Sequence, residues 1–460
     1  MANRRNSQVR KWLRWFGDMN AIRCFLFSKS WWSPWFPAKL TNAVLRAFGV
    51  VAFANNPLSG FLIMAAMMAS DVIVGVAGLL SATVAVICSK LQGAPDHLVC
   101  DGLTAFNSLL VGAICTAVLP DLLNLKLHFY HVLLSIPISI ITCYVDLGLS
   151  SLMSPCQLPA QSIPFNLVAT GLVLSLRGRL YGYGLKIHGI DTQGHGQMYD
   201  DAFRTLAQDI TEVFEGDQTE LQWVKVLEGS VLAAGQVYGA GNMASSIIIW
   251  LAFFLYSPIL SVVFYLGSII GSCLAVFLSP GSLSEVYAGL WSYNSMLAAG
   301  GSVFFLQPSL HVAVVAVLGA CMAVFTQAAV MNIFAPTQLP VLSYPFNVVI
   351  TILLAISTQR GTTLTMLTNR SFPEQHIYER LKGTCEADNN ADENAPEMKP
   401  FQMGRYCAVV GCTSRSHDYL NRKLGNGMRF FSLSAVKEGQ GSDVLNVITR
   451  RRQVTVVFSL

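Results

Sequence analysis

From Met243 to Leu283 the chain carries no Asp, Glu, Lys or Arg, and from Phe61 to Ile87 it carries one, Asp71. An apolar run of about 20 residues is long enough to cross a bilayer as a helix. Within the hydrocarbon no water is present to satisfy backbone N–H and C=O groups, so a spanning segment is a helix or part of a closed barrel. A barrel would be written as short alternating segments, and these runs are continuous. Composition agrees: of 460 residues, 53% are hydrophobic and 12% charged. An ordinary soluble domain carries roughly 25% charged residues. The chain therefore reads as an all-α polytopic membrane protein whose first partner is the lipid bilayer.

The charges are segregated. Residues 1 to 46 hold Arg4, Arg5, Arg10, Lys11, Arg14, Arg23, Lys29, Lys39 and Arg46 against one acid, Asp18. An excess of this kind stays on the cytoplasmic side. The segment has no short apolar core with a cleavage site, so the first span is expected to act as the insertion signal. The region from about Arg177 to Lys225 is rich in Asp and Glu and reads as a solvated loop. The eleven cysteines lie mostly singly in apolar stretches, where Cys behaves as a small hydrophobe.

The apolar part is written twice. Residues 102–112 read GLTAFNSLLVG and residues 289–299 read GLWSYNSMLAA, offset by 187. Residues 158–168 read LPAQSIPFNLV and residues 339–349 read LPVLSYPFNVV, offset by 181. NNPLSG at 55–60 pairs more weakly with GNMASS at 241–246, offset by 186. Three pairs in the same order at nearly constant offset describe two homologous halves. The boundaries drawn are a basic N-terminus (1–40), a first repeat (41–180), a connecting loop (181–225), a second repeat (226–360) and a tail (361–460). Halves that each cross the membrane an odd number of times insert in opposite orientation and place a solute path at their interface. The alternative is a symmetric structural bundle without a path. Repeated Pro, Asn and Ser inside apolar segments weigh against it, being costly unless a cavity receives them.

The motifs allow chemistry to be placed. In Leu158-Pro159-x-x-Ser162-x-Pro164-Phe165-Asn166, and in Leu339-Pro340-x-x-Ser343-x-Pro345-Phe346-Asn347, two prolines within six residues break the helix. Ser162 and Ser343 then offer hydroxyls to a polar path, or bond back to their own helices. Phe106 with Leu110, and Tyr293 with Leu297, are four apart on one helix face. They form either the walls of a flat slot or plain core. Asn107 and Asn294 are suited to tying down loose backbone. Asn55, Asn56 and Pro57 open a helix, Asn capping and Pro in the first turn. Gln236 is an amide in an apolar context and needs a partner or a cavity. The lone acids Asp71, Asp101 and Asp146 read as span-end or loop groups rather than proton or sodium sites. No phosphate-binding loop points to ATP-driven pumping, and the histidines show no metal spacing. No enzyme activity, catalytic residue, cofactor or metal is expected.

NNPLSG, GLTAFNSLLVG, LPAQSIPFN, GQVYG (235–239), YAGLWSYNSML (287–297) and LPVLSYPFN together resemble the urea transporter family, over about residues 35–365. The resemblance implies two inverted halves, each of about five transmembrane helices plus a short tilted pore helix. It implies a homotrimer in the plasma membrane with both termini cytoplasmic, and passive conduction of urea with no ion coupling. By position, it implies slot residues Phe53, Phe106, Leu110, Tyr293 and Leu297, and ladder oxygens from Gln236, Ser162 and Ser343. Planar urea fits such an arrangement, because fixed oxygens replace water for its N–H groups and a slot excludes hydrated ions. Three departures stand out. Val50 lies where an amide matching Gln236 belongs, Met243 replaces a Pro matching Pro57, and Ser162 and Ser343 lie where Thr is usual. Val50 keeps open a channel for another small neutral solute (water, ammonia or a urea analogue), and a non-conducting scaffold is the rival of a different class.

Residues 385–403 are acidic and Pro-containing, and read as a disordered linker. The segment 406–452 resembles the opening of a THAP-type zinc finger. Cys407 and Cys412 match that family's first ligand pair, but no Cys or His follows His417. Two ligands do not close a tetrahedral site, so neither zinc nor nucleic acid is expected.

Overall fold

Polar residues punctuate the apolar runs and start the helices. The computed structural model describes residues 17–123, 129–187, 221–279, 283–337, 339–359 and 361–380, with side chains described outside 119–131 and 177–187. The THAP-like segment, the 385–403 linker and most of the connecting loop lie outside these. Asn56 Oδ1 accepts from the Leu58 and Ser59 amides at 2.8 and 3.2 Å, and Pro57 is the first helical residue. Asp71 does the same for Ile73 and Val74 at 2.7 and 3.2 Å. Asn242, Ser257 and Ser309 cap three more helices. Each cap satisfies amides that have no partner within the helix.

The described helices form two runs. The first comprises α1 (Asn20–Phe27), α2 (Phe36–Val50), α3 (Pro57–Ser70), α4 (Val72–Leu91), α5 (Asp96–Cys100), α6 (Phe106–Leu123), α7 (Ser135–Met153) and α8 (Ile163–Ile187). The second comprises α9 (Trp223–Gln236), α10 (Met243–Tyr256), α11 (Pro258–Leu278), α12 (Ser284–Tyr287), α13 (Tyr293–Phe305), α14 (Leu310–Phe334) and α15 (Tyr344–Ser357). Four stretches, Val72–Leu91, Val132–Cys156, Pro258–Leu278 and Leu310–Thr337, are long and apolar enough to cross a membrane. Among the described residues there is no β-strand; one isolated bridge pairs Leu306 with Met366.

Small residues let the helices approach closely, as is usual where lipid offers no hydrophobic drive for association. A Cβ at Gly60 would lie 1.7 Å from Leu45 O, so α2 and α3 could not cross here with any larger residue. Across the two runs, α3 and α10 exchange serine bonds. Ser59 Oγ donates to Ala252 O at 2.8 Å, and Ser245 Oγ donates to Ala66 O at 2.9 Å.

Residues 361–380 pack onto the helices. Gln307 N donates to Thr365 O and Leu367 N to Phe305 O, each at 2.8 Å. Glu374 accepts from Ser257 Oγ and from Ile259 N at 2.8 Å, covering the start of α11. Ser371 Oγ donates to Asp18 Oδ2 at 2.5 Å, which ties this segment to the N-terminal one.

Candidate functional site

The two double-proline motifs form the centre. Pro164 and Pro345 fall in the first turns of α8 and α15, where a missing N–H costs nothing. Just before them, Gln161 and Leu342 both take the left-handed conformation, φ 51° each. The chain turns sharply there, and the two helix starts bind one another reciprocally. Ser162 N donates to Asn347 Oδ1 at 3.1 Å, and Ser343 N donates to Asn166 Oδ1 at 3.2 Å. The hydroxyls of Ser162 and Ser343 are hydrogen-bonded to each other at 2.8 Å. Asn347 Nδ2 donates to Ser162 Oγ at 2.9 Å and to Ser343 O at 2.7 Å. Two helix N-termini, each with its positive dipole end, thus meet at a pair of hydroxyls.

Asn107 and Asn294 hold the turns from behind. Asn107 Nδ2 donates to Gln161 O and to Asp146 Oδ1, both at 3.1 Å, and Phe165 N donates to Asn107 Oδ1 at 3.3 Å. Asn294 Nδ2 donates to Leu342 O at 3.1 Å and to Gln327 Oε1 at 3.0 Å, and Phe346 N donates to Asn294 Oδ1 at 3.4 Å. Both asparagines are fully buried. Their role is to satisfy backbone that the broken helices leave open.

A cavity of about 450 Å³ lies on one side of the serine pair, and one of about 420 Å³ on the other. Ser162, Val51 and Phe346 line both. The first cavity takes in Phe53, Phe106, Asn55, Pro159 and Val50. The second takes in Leu110, Tyr293, Leu297, Gln236, Ser343, Phe165 and Pro340. Every slot and ladder residue named from the sequence therefore lines one of two spaces meeting at Ser162. Phe106 and Leu110, expected on one face, are divided between them. Gln236 presents its side chain with Nε2 donating to Ala288 O at 2.8 Å.

A family model described as urea transporter matches residues 41–358, well over half of the chain. The chain belongs to the urea transporter family. "Urea transporter 1" of the goat, Capra hircus, is 26% identical over 347 residues, covering 74% of this chain and 83% of the goat protein. The protein of the same name from the rat, Rattus norvegicus, is 26% identical over 321 residues, covering 69% of this chain and 77% of its own.

Several wall residues of this urea transporter family member escaped the sequence reading. Val51 lines both cavities, and Val237, 186 positions later, lines the second. Extending the NNPLSG/GNMASS pair six residues upstream, to GVVAFA and GQVYGA, would have found them. Asp146 lies within α7, buried, where a loop or span-end position was expected. The mouth of the first cavity is charged. Arg23 pairs with Asp101, its Nε donating to Oδ1 at 2.8 Å. Asp18 accepts from Tyr256 OH at 3.0 Å and from Ser371. Burial pushes the Asp18 carboxyl up, against the opposing pull of the Ser371 bond. Arg370 lies over the Phe305 ring at 4.9 Å, and burial pushes its guanidinium down.

Proposed function

We propose that this protein conducts urea passively down its gradient, through the two cavities and past the Ser162–Ser343 pair. The observation that carries the reading is the hydrogen bond between those two hydroxyls, since Ser162 lines both cavities and Ser343 the second. A solute with N–H groups passes by exchanging its own bonds for that one, so the loss of water is offset by fixed oxygens. The walls on either side, Leu110 and Leu297 in the second cavity and Phe53 and Phe106 in the first, admit a flat molecule. Two helix N-termini at the constriction raise a barrier to cations. A hydrated ion also finds too few oxygens there to replace its shell.

The finer organisation follows from the same reading. The two runs of helices are homologous halves inserted with opposite orientation, 41–180 and 226–360, each of about five spans and a short tilted helix. Support comes from the matched hydrogen bonds of Asn107 and Asn294 and from the reciprocal serine bonds of α3 and α10. In this reading both termini and the first cavity lie on the cytoplasmic side of the plasma membrane, supported by the basic N-terminus and by the Ser371–Asp18 bond that joins the two terminal segments. A homotrimer with one path per subunit, and no role for the tail in nucleic-acid binding, complete the proposal.

Radiolabelled urea uptake into oocytes expressing the full chain tests it. Uptake above that of water-injected cells, saturable or blocked by an inhibitor, is expected. Val50→Gln, which adds an amide to the first cavity, is expected to raise uptake. No uptake from either protein, both present at the cell surface, would overturn the urea reading. Uptake of water or ammonia without urea would move it to another neutral solute.

A further inference from the structure

The two cavities share a hydrogen-bonded frame and differ in charge. Asn107 donates to Asp146 where Asn294 donates to Gln327, at 3.1 and 3.0 Å. Gln327 has both ends engaged, since its Nε2 donates to Leu290 O at 2.8 Å. Asp146 accepts a single hydrogen bond and enters no ion pair among the described residues, although it is 7% exposed. A buried carboxylate without a cation is costly. The other charged groups of that cavity do not answer it. Arg23 is spent on Asp101, Asp18 is held by Tyr256 and Ser371, and Arg370 lies over Phe305.

A second group beside it also lacks a partner. Gln161, whose carbonyl shares the Asn107 amide with Asp146, lines the same cavity and is 9% exposed. Its side-chain Nε2 makes no hydrogen bond among the described residues. A carboxyl with one hydrogen bond and a glutamine with an idle amide thus line one cavity, whose walls also include Phe53 and Phe106.

We propose that Asp146 and Gln161 form a binding site in the first cavity for planar solutes rich in N–H groups, with guanidinium-type cations as the tighter class. Guanidinium has the Y shape of urea and replaces its carbonyl with a further N–H donor and a positive charge. A carboxylate accepts two such N–H groups side by side, and the aromatic walls favour a flat cation. Neutral urea uses the same acceptor more weakly. The converging helix N-termini at Ser162 and Ser343 turn the cation back. Guanidinium therefore occupies the cavity and blocks the path. This inference rests on the reading of the cavities as a solute path.

The test is urea uptake by proteoliposomes holding the full chain, with guanidinium chloride or sodium chloride at equal concentration. Guanidinium is expected to block, and sodium is not. Asp146→Asn keeps an oxygen for Asn107 but loses the charge. It should raise the half-blocking guanidinium concentration about tenfold, as expected for one charge-assisted hydrogen bond, and raise the urea KM. Asp146→Glu should restore the block, which a merely structural role for Asp146 would not require. Guanidinium no more effective than sodium, or equally effective on Asp146→Asn, would overturn the site. Wild-type liposomes that take up no urea would sink the transport reading instead. Calorimetric titration of the detergent-purified full chain with guanidinium then decides the site alone: binding weakened about tenfold in Asp146→Asn upholds it, and binding absent or unaltered refutes it.

Discussion

The cavity that holds Val50 and Phe53 and the cavity that holds Gln236 and Gly239 are built on the same turn. Ala54 N donates to Gly49 O at 3.0 Å, and Ala240 N donates to Gly235 O at 2.9 Å. Phe53 and Gly239 sit at matched points of that turn, with φ of 63° and 69°. Glycine adopts this conformation freely, whereas a side chain there costs on the order of 1–2 kcal/mol. Phe53 is held in it by its ring, which stacks on Phe304 at 5.2 Å and meets Phe305 edge-on at 5.5 Å. At the second turn Gly239 carries no ring, and a Cβ there would meet Ile114 at 3.3 Å and Ala117 at 3.4 Å. At this turn the first cavity thus has the Phe53 ring and no amide at position 50, while the second has the Gln236 amide and a glycine. Groups that hold backbone, such as Asn107 and Asn294, are duplicated, whereas among the groups that face the space some, such as Val50 against Gln236 and Phe53 against Gly239, are not.

Breaking the first wall should give the largest effect. Phe53→Ala removes a buried ring and should cost about 3–5 kcal/mol. A lowered melting temperature in detergent, together with weak discrimination between urea and larger amides in uptake, would show it. Gly239→Ala adds only a strained methyl and should lower the melting temperature far less; equal losses would contradict the asymmetry.

The serine frame is reciprocal in outline but not in detail. Asn347 Nδ2 holds both Ser162 Oγ and Ser343 O, whereas Asn166 Nδ2 has no partner among the described residues. Asn347→Ala should therefore destabilise more than Asn166→Ala, by about 1–3 kcal/mol for the added unpaired groups. Thermal unfolding of both variants, with urea uptake normalised to surface expression, checks the order.

How far this was legible in sequence depended on the kind of group. Ser162, Ser343 and the paired asparagines were found because they recur at fixed offset inside apolar runs, where each would be expensive unless used. The apolar periodicity and the Asn56 cap likewise gave helices and starts, since both are local properties. Asp146 was not legible, because nothing in its neighbours announces the Asn107 amide 39 positions earlier in the chain. The packing of residues 361–380 was equally hidden. Composition turns polar there, yet Ser371 and Glu374 find Asp18 and the start of α11.

The smaller predictions concern that last segment. Glu374→Ala removes the bonds at the start of α11 and should cost about 1–2 kcal/mol, the usual worth of a lost cap, read as a lowered melting temperature. Ending the chain after residue 365 removes Ser371 and Glu374 together and should reduce surface expression. Ending it after residue 380 should leave urea uptake intact. Uptake lost equally in both truncations would assign the tail a role that this account denies it.

The most direct test of the path is the double replacement Ser162→Ala with Ser343→Ala, reconstituted into liposomes beside the wild type and followed by the rate of urea efflux. The replacement adds no bulk and removes the two hydroxyls at the junction. Efflux from the wild type, falling at least about tenfold in the double variant as expected for one or more hydrogen bonds lost to a desolvated solute, is the result predicted. A folded double variant that passes urea as fast as the wild type would contradict the claim that urea crosses between these two hydroxyls.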